Sequence, residues 1–215
     1  MDSADAAEMI GEVSEDQEET KAHRDADARF RNRAALLIAV IAAVLAIGGL
    51  GGGNATDDMI YNNIKASDTW AFFQAKNMRQ TVIEVAIVEL EGDLADPNLT
   101  AEHRTRIERQ LAEHRATIAR YESEPDPAAP NDPLRGEGKR QLRAQAQAYE
   151  AAREVASDRD NNFDLAEVFL QLALVLGSVA ILALNRAVLL VAVTLGLLGT
   201  ILVVNGFFLL FALPL

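Results

Sequence analysis

Cysteine is absent from the 215 residues, which excludes a disulfide scaffold, a thiolate zinc site, an iron–sulfur cluster and a cysteine nucleophile. Positive charge is scarce. Twenty Lys and Arg stand against thirty-two Asp and Glu, a net charge of −12. That balance argues against nucleic acid as a partner, because holding phosphate needs net positive charge. Glycine-rich phosphate loops, paired-histidine metal motifs and nucleophile elbows in a strand–turn–helix setting are missing too. No enzyme activity and no cofactor are expected.

What is present is segregated along the chain. Apolar residues make up 50% and charged residues 24%, and such fractions coexist when the two kinds occupy different stretches. Residues 34–56 carry no charge, 165–184 carry only Glu167, and 187–212 are broken only by Thr194, Thr200 and Asn205 among polar residues. Each is close to or above the roughly twenty apolar residues that cross a bilayer. They are apolar all round, where a soluble helix would keep a charged face. An all-α integral membrane protein with three transmembrane helices is therefore predicted. The first span follows more than thirty residues, too many for the n-region of a cleavable signal, so it reads as an uncleaved anchor.

Basic residues set the orientation. Lys21, Arg24, Arg29, Arg31 and Arg33 precede the first span, Asp57 and Asp58 follow it, and Arg186 lies between the second and third. Both basic flanks fall on one side when the N-terminus is cytoplasmic and the central segment is external. Residues 1–33 form an acidic tail ending in that basic cluster; with ten acids in 1–28 and few large apolar side chains, the tail is expected to be disordered.

The central segment, 57–164, is rich in helix formers. Its breakers cluster at Gly92, Pro97 and Asn98 and again from Pro125 to Gly138, leaving helices over about 57–95, 100–123 and 139–164. The last is expected to run on into the second span. Continuity between the first span and the helix after it is less secure, because Gly48, Gly49, Gly51, Gly52 and Gly53 each weaken a helix by about 1 kcal/mol relative to Ala. Gly48 with Gly52, Gly49 with Gly53 and Gly196 with Thr200 have the spacing of close helix contacts. In the first stretch Ile60, Ile64, Ala71, Ala75, Met78, Val82, Val85 and Val88 recur at helical spacing, the seam of a helix packed on a partner. The second holds an eleven-residue repeat, AEHRTRIERQL then AEHRATIARYE, which aligns His103, Ile107, Leu111, His114 and Ile118. The third offers Leu142, Ala146, Tyr149 and Val155. An antiparallel helical bundle or coiled-coil stalk follows, completed within one chain or between protomers.

His103 and His114 are about 16 Å apart along a helix, too far to share a metal within one chain. Packing on the seam, ligation between protomers and a pH-responsive seam are the alternatives. The spans hold no central charge of the kind that proton or ion transport uses. Gln171 and Asn205 suit hydrogen bonds between helices; a small channel or transporter component, its pore formed on oligomerisation around Gln171, Ser178, Thr194 and Asn205, is the second functional reading. The first is a structural or interaction protein that self-associates or holds a membrane-protein partner.

One stretch rises above composition. Residues 64–76 read IKASDTWAFFQAK and contain the sole tryptophan. This closely resembles the signature of an uncharacterised bacterial membrane-protein family, domain of unknown function 4337, with a KASD-x-W-aromatic-aromatic-Q-AK pattern after a first span. The resemblance implies an integral bacterial membrane protein and no established activity; the expected location is the bacterial inner membrane, crossed more than once. Lys65, Asp68, Trp70, Phe73, Gln74 and Lys76 are the candidate interaction residues. Lys65 and Asp68 can pair three residues apart, and Trp70 and Phe73 make an aromatic ridge. That ridge fits an interfacial anchor with bundle packing, or a docking patch for a protomer or partner.

Overall fold

In a computed structural model the described residues are 3–213, with side chains described at Lys21 and from His23 onward. They form four α-helices: α1 (Ser3–Leu94), α2 (Ala101–Glu122), α3 (Lys139–Ala183) and α4 (Arg186–Phe208). No strand occurs among them, only an isolated bridge between Pro125 and Gly136. Three helices contain stretches long and apolar enough to cross a membrane: α1, α3 and α4. The breaks fall where the sequence places them. Asp96 Oδ1 accepts from the Asn98 amide in the turn after α1, and the Thr100 side chain caps α2 by accepting from the His103 amide. Glu102 in the first turn and Arg120 in the last complement the helix dipole. After α3, Leu184 takes a left-handed conformation (φ 52°), and Asn185 caps α4 through Ala187 and Val188.

α1 begins at Ser3. The side-chain part of the expectation for residues 1–20 lies outside the described residues, but the backbone from Ser3 is helical where composition predicts disorder. Alanine and glutamate favour a helix there, and no proline opposes it. From His23 to Arg29 the side chains are exposed.

The chain divides into two units. One comprises Met1–Ala55 with Asp158–Leu215, the other Thr56–Ser157. In the first, Ile41, Ala55, Phe163, Ala166, Leu170, Ala173 and Val203 form the core. α1 passes unbroken through the five glycines from Gly48 to Gly53. The reason is packing: a Cβ built on Gly51 would fall 2.5 Å from Phe163 Cζ, and one on Gly48 would fall 2.9 Å from Val203 Cγ2. Gly48, Gly51 and Gly52 thus admit neighbouring side chains, whereas Gly49 and Gly53 look onto open space. The ring of Phe163 meets Phe207 edge-on, with centroids 5.0 Å apart. Phe163 and Asn162 are buried in this unit, which moves the boundary of the central segment from 164 back to Ser157. α4 stops at Phe208 rather than 212, because Leu209 turns left-handed (φ 47°) and the Asn205 side chain holds the backbone of Phe211.

In the second unit, hydrogen bonds from Arg153 to Asn63, Trp70 to Glu150 and Lys139 to Asn77 descend α3 as they ascend α1, so the two helices are antiparallel here. α2 folds back on α1, with Arg115 paired to Glu91 at 2.7 Å. Its predicted stripe turns inward in part: Ile107 and Leu111 are buried and His114 and Ile118 half-buried, but His103 is exposed; Leu142 and Ala146 of α3 are buried. Val155, expected beside them, is exposed, and Ala156 is buried instead. The seam read on α1 is not covered within the chain. The inward face is Ala66, Trp70, Phe73, Lys76, Gln80, Ile83, Ile87 and Leu90, whereas Ile60, Ile64, Ala71, Ala75, Met78, Val82, Val85 and Val88 are all exposed. Both stripes keep helical spacing; the inward one contains a lysine and a glutamine, so spacing and polarity alone pick out the other as the packing seam.

Candidate functional site

The tryptophan segment lies on α1 in the second unit. Trp70, Phe73 and Lys76 are three residues apart in succession, so they share one face, and that face is turned to the chain's own residues. The half-buried Trp70 indole donates from Nε1 to Glu150 Oε1 at 2.8 Å, and its ring meets Phe73 edge-on at 5.5 Å. The Arg143 guanidinium lies 5.8 Å from the centre of the Phe73 ring, within reach of a cation–π attraction. α3 thus supplies a carboxylate for the indole and a cation for the phenyl ring.

Lys76 is the most enclosed of the group, with 4% of its surface exposed. An ammonium so buried needs compensation on every side. Glu124 Oε2 accepts from Nζ at 3.2 Å, the Glu137 carbonyl accepts a second bond, and the rings of Phe72 and Tyr121 lie 5.3 and 5.7 Å away. These partners come from α1, the end of α2 and both ends of the proline-rich connection. That connection is built rather than loose. The amide of Glu137 donates to the Glu124 carbonyl, Gln141 bonds to Ser123 and to the Glu124 amide, and Gln145 bonds to the Gly136 carbonyl. Gly136 has φ 114°, a conformation side-chain-bearing residues avoid. Lys139, at the start of α3, pairs with Glu122 at 3.0 Å.

Of the six candidate residues the structure therefore brings three together, Trp70, Phe73 and Lys76. Lys65, Asp68 and Gln74 remain exposed. Lys65 reaches back over the Tyr61 ring at 5.6 Å, and no ion pair joins it to Asp68 among the described residues. Sequence reading misses Glu124, Glu137, Tyr121, Arg143 and Glu150. The available signal was the register: Lys76 continues the Trp70–Phe73 face, so a lysine on that face needs acceptors from whatever packs there.

The first unit holds a second polar centre. Asn205 Nδ2 donates to Asn162 Oδ1 at 2.7 Å, the link between helices expected of Asn205. Gln171 instead donates to Glu167 on its own helix, and the hydroxyls of Ser178 and Thr194 donate to carbonyls one turn back. These four polar residues do not converge on a common site within the chain. His103 is exposed and His114 half-buried, and no group of three His, Cys, Asp or Glu among the described residues is arranged to hold a metal ion. Comparison with curated proteins and with solved structures finds no match. Residues 30–209, which take in the tryptophan segment and the apolar stretches of α1, α3 and α4, match the family described as a domain of unknown function (DUF4337), and the chain belongs to that family.

Proposed function

We propose that the chain is a multi-pass protein of the bacterial inner membrane that self-associates, or holds a second membrane protein, through the uncovered face of α1. The apolar stretches of α1, α3 and α4 are the spans, the N-terminus is cytoplasmic, and Thr56–Ser157 is the external stalk. In support, the apolar windows of these three helices are 17%, 28% and 22% buried by the chain itself, so most of their surface is left for lipid to cover.

The observation that carries the interaction role lies outside the spans. Met78, Val82 and Val88 are 72%, 65% and 68% exposed, and Ile64 and Val85 lie on the same side of the helix. In a segment facing water these side chains form an apolar stripe about seven turns long, of the kind that marks an association surface. Covering a Val or Met side chain fully contributes roughly 1.5–3 kcal/mol, so a few such contacts suffice for a stable pair. Inserted the same way up, two copies would present the stripes side by side.

The test is the mass of the full-length protein in mild detergent, for the wild type and for Val82→Glu combined with Val85→Glu. An oligomer that falls to one protomer in the double variant, with helicity retained, supports the reading. A wild type of one protomer that also purifies without a membrane partner sinks it. Orientation is checked with cysteines, for which the native chain gives no background. Ala112→Cys, on an exposed position of α2, should react with an impermeant maleimide in cells whose outer membrane is permeabilised, and Asp27→Cys should not.

A further inference from the structure

In the second unit, α1 and α3 border an open groove of about 440 Å³, lined by Met59, Ile60, Asn63, Arg153, Glu154 and Ser157. We propose that this groove seats the headgroup of a zwitterionic phospholipid, its phosphate on Arg153 and its ammonium on Glu154. The inference rests on the membrane reading above, and three observations lead to it.

The first is depth. The charge-free stretch of α1 ends at Thr56, and Met59 to Asn63 follow at about 5–10 Å along the helix at 1.5 Å per residue. The polar headgroup layer occupies roughly 5–8 Å on each side of the hydrocarbon. The groove therefore opens at the level where phosphate and amine groups lie.

The second is the chemistry of the lining. Arg153 and Ser157 are one turn apart on α3, and Asn63 faces them from α1; together they offer a guanidinium, a hydroxyl and an amide, all donors that phosphate oxygens accept. Among the described residues the guanidinium makes a long bond, 3.5 Å to Asn63 Oδ1. A guanidinium presents five N–H groups in a fork, so this bond leaves donors for a phosphate. Met59 and Ile60 add an apolar wall; Ile60 is 49% exposed, and the glycerol and first methylenes of a lipid would cover it.

The third is charge, which selects among headgroups. Arg153 is the one cation of the lining, Glu154 is beside it, and Asp57 lies one turn before Ile60 and Tyr61 on α1. A purely anionic headgroup would meet one favourable charge and two unfavourable ones. A phosphoethanolamine group offers an anion to Arg153 and a cation with N–H donors to the carboxylates. A phosphocholine group has the same charges but no N–H to donate, so ethanolamine is the better fit.

The experiment uses the full chain in phosphatidylcholine nanodiscs doped with phosphatidylethanolamine, counting retained phosphatidylethanolamine by native mass spectrometry. Wild type, Arg153→Ala, Glu154→Gln and, as a control on the exposed side of α2, Arg109→Ala are compared. Retention should fall about tenfold in Arg153→Ala, several-fold in Glu154→Gln, and not at all in Arg109→Ala. Both groove side chains are exposed, so their loss leaves the fold intact, and an unchanged circular dichroism spectrum checks this. Soluble O-phosphoethanolamine and inorganic phosphate are added as competitors. Displacement by the first at millimolar concentration and not by the second supports headgroup recognition; equal displacement by inorganic phosphate overturns it in favour of a simple phosphate site. Equal retention by wild type and Arg153→Ala overturns the site outright. Alkaline carbonate extraction separates this from the membrane reading. A chain released from membranes refutes that reading, and the lipid assignment with it. A chain that stays embedded but shows no dependence on Arg153 refutes the groove alone.

Discussion

Asn205 Nδ2 lies 2.7 Å from Asn162 Oδ1, with both side chains buried between the apolar surfaces of α3 and α4. Each amide is used on both sides. Asn205 also donates to the Phe211 carbonyl at 2.9 Å and accepts from the Phe211 amide at 3.0 Å, while Asn162 Nδ2 donates to the Asp158 carbonyl at 2.8 Å. One side chain on α4 thus ties two helices together and closes the turn after its own helix. Charged residues are nearly missing from α4, so this pair is its main polar fixture.

Removing both halves of the pair should cost less than the sum of removing each. Asn205→Leu leaves the Asn162 oxygen and the Phe211 backbone without partners, at a cost of roughly 1–3 kcal/mol. The thermal midpoint in detergent should drop for Asn205→Leu and for Asn162→Leu. The double variant should fall by clearly less than the sum of the two, since the singles share one interaction. Additive losses would mean that the two asparagines act independently.

Two glycines two residues apart in α1 should respond oppositely to the same methyl group. Gly51 faces Phe163 and Phe207, with a built Cβ only 2.5 Å from the first ring, whereas Gly53 faces open space. Gly51→Ala forces ring displacement, an overpacking cost of about 1–3 kcal/mol. Gly53→Ala should be neutral or stabilising by up to about 1 kcal/mol, because alanine is the better helix former. Unfolding midpoints of the two variants, measured in the same detergent, check the sign of each.

The contrast between these glycines marks how far the sequence can be read. Helix boundaries were legible, because Pro97, the prolines of the second connection, Thr100 and Asn185 act locally, within a turn of their own position. The apolar stretches were legible from composition alone. Which face of α1 turns inward was not. Gly49 and Gly51 look alike until Phe163 is placed beside one of them. On α1 of the second unit, the stripe through Met78, Val82 and Val85 looks more like a core than the stripe holding Lys76 and Gln80. Lys76 goes inside because Glu124, the Glu137 carbonyl, Phe72 and Tyr121 surround it. Those partners are assembled by a connection whose course depends on Gly136 and on several long-range hydrogen bonds. A one-dimensional pattern carries the spacing of a face but not what meets it.

Lys76 should therefore act as the anchor of the proline-rich connection. Lys76→Met fills much of the same volume but releases Glu124 and the Glu137 carbonyl. Breaking a fully buried pair costs about 3–5 kcal/mol. Glu124 is 38% exposed, and its carboxylate can turn to water, so a smaller loss, about 1–3 kcal/mol, is expected here. The local readout is hydrogen exchange at the Glu137 amide, which donates to the Glu124 carbonyl at 2.9 Å. Its protection should fall in Lys76→Met while amides near Ile107 keep theirs. Unchanged protection at Glu137 would show that Gln141 and Gln145 hold the connection without the lysine.

Trp70 separates packing within the chain from association between chains. Its indole is committed to Glu150 at 2.8 Å and to Phe73 edge-on, about a quarter-turn around α1 from the exposed Met78–Val82–Val85 stripe. Trp70→Phe keeps an aromatic ring for Phe73 and loses the N–H bond, which should lower stability by about 1 kcal/mol. Trp70→Ala removes both; a buried aromatic truncation costs about 3–5 kcal/mol, and a half-buried one should fall below that range. Glu150→Gln keeps an acceptor for the indole but replaces its charge, so its effect should be smaller than that of Trp70→Phe. Oligomer mass should be the same for Trp70→Phe and wild type, since the stripe proposed to carry association is untouched. The discriminating comparison is between Trp70→Phe and the Val82→Glu, Val85→Glu pair at matched protein and detergent concentration. If Trp70→Phe dissociates the assembly while the stripe variant leaves it whole, the tryptophan face is the contact between protomers and the assignment of the two faces of α1 must be exchanged.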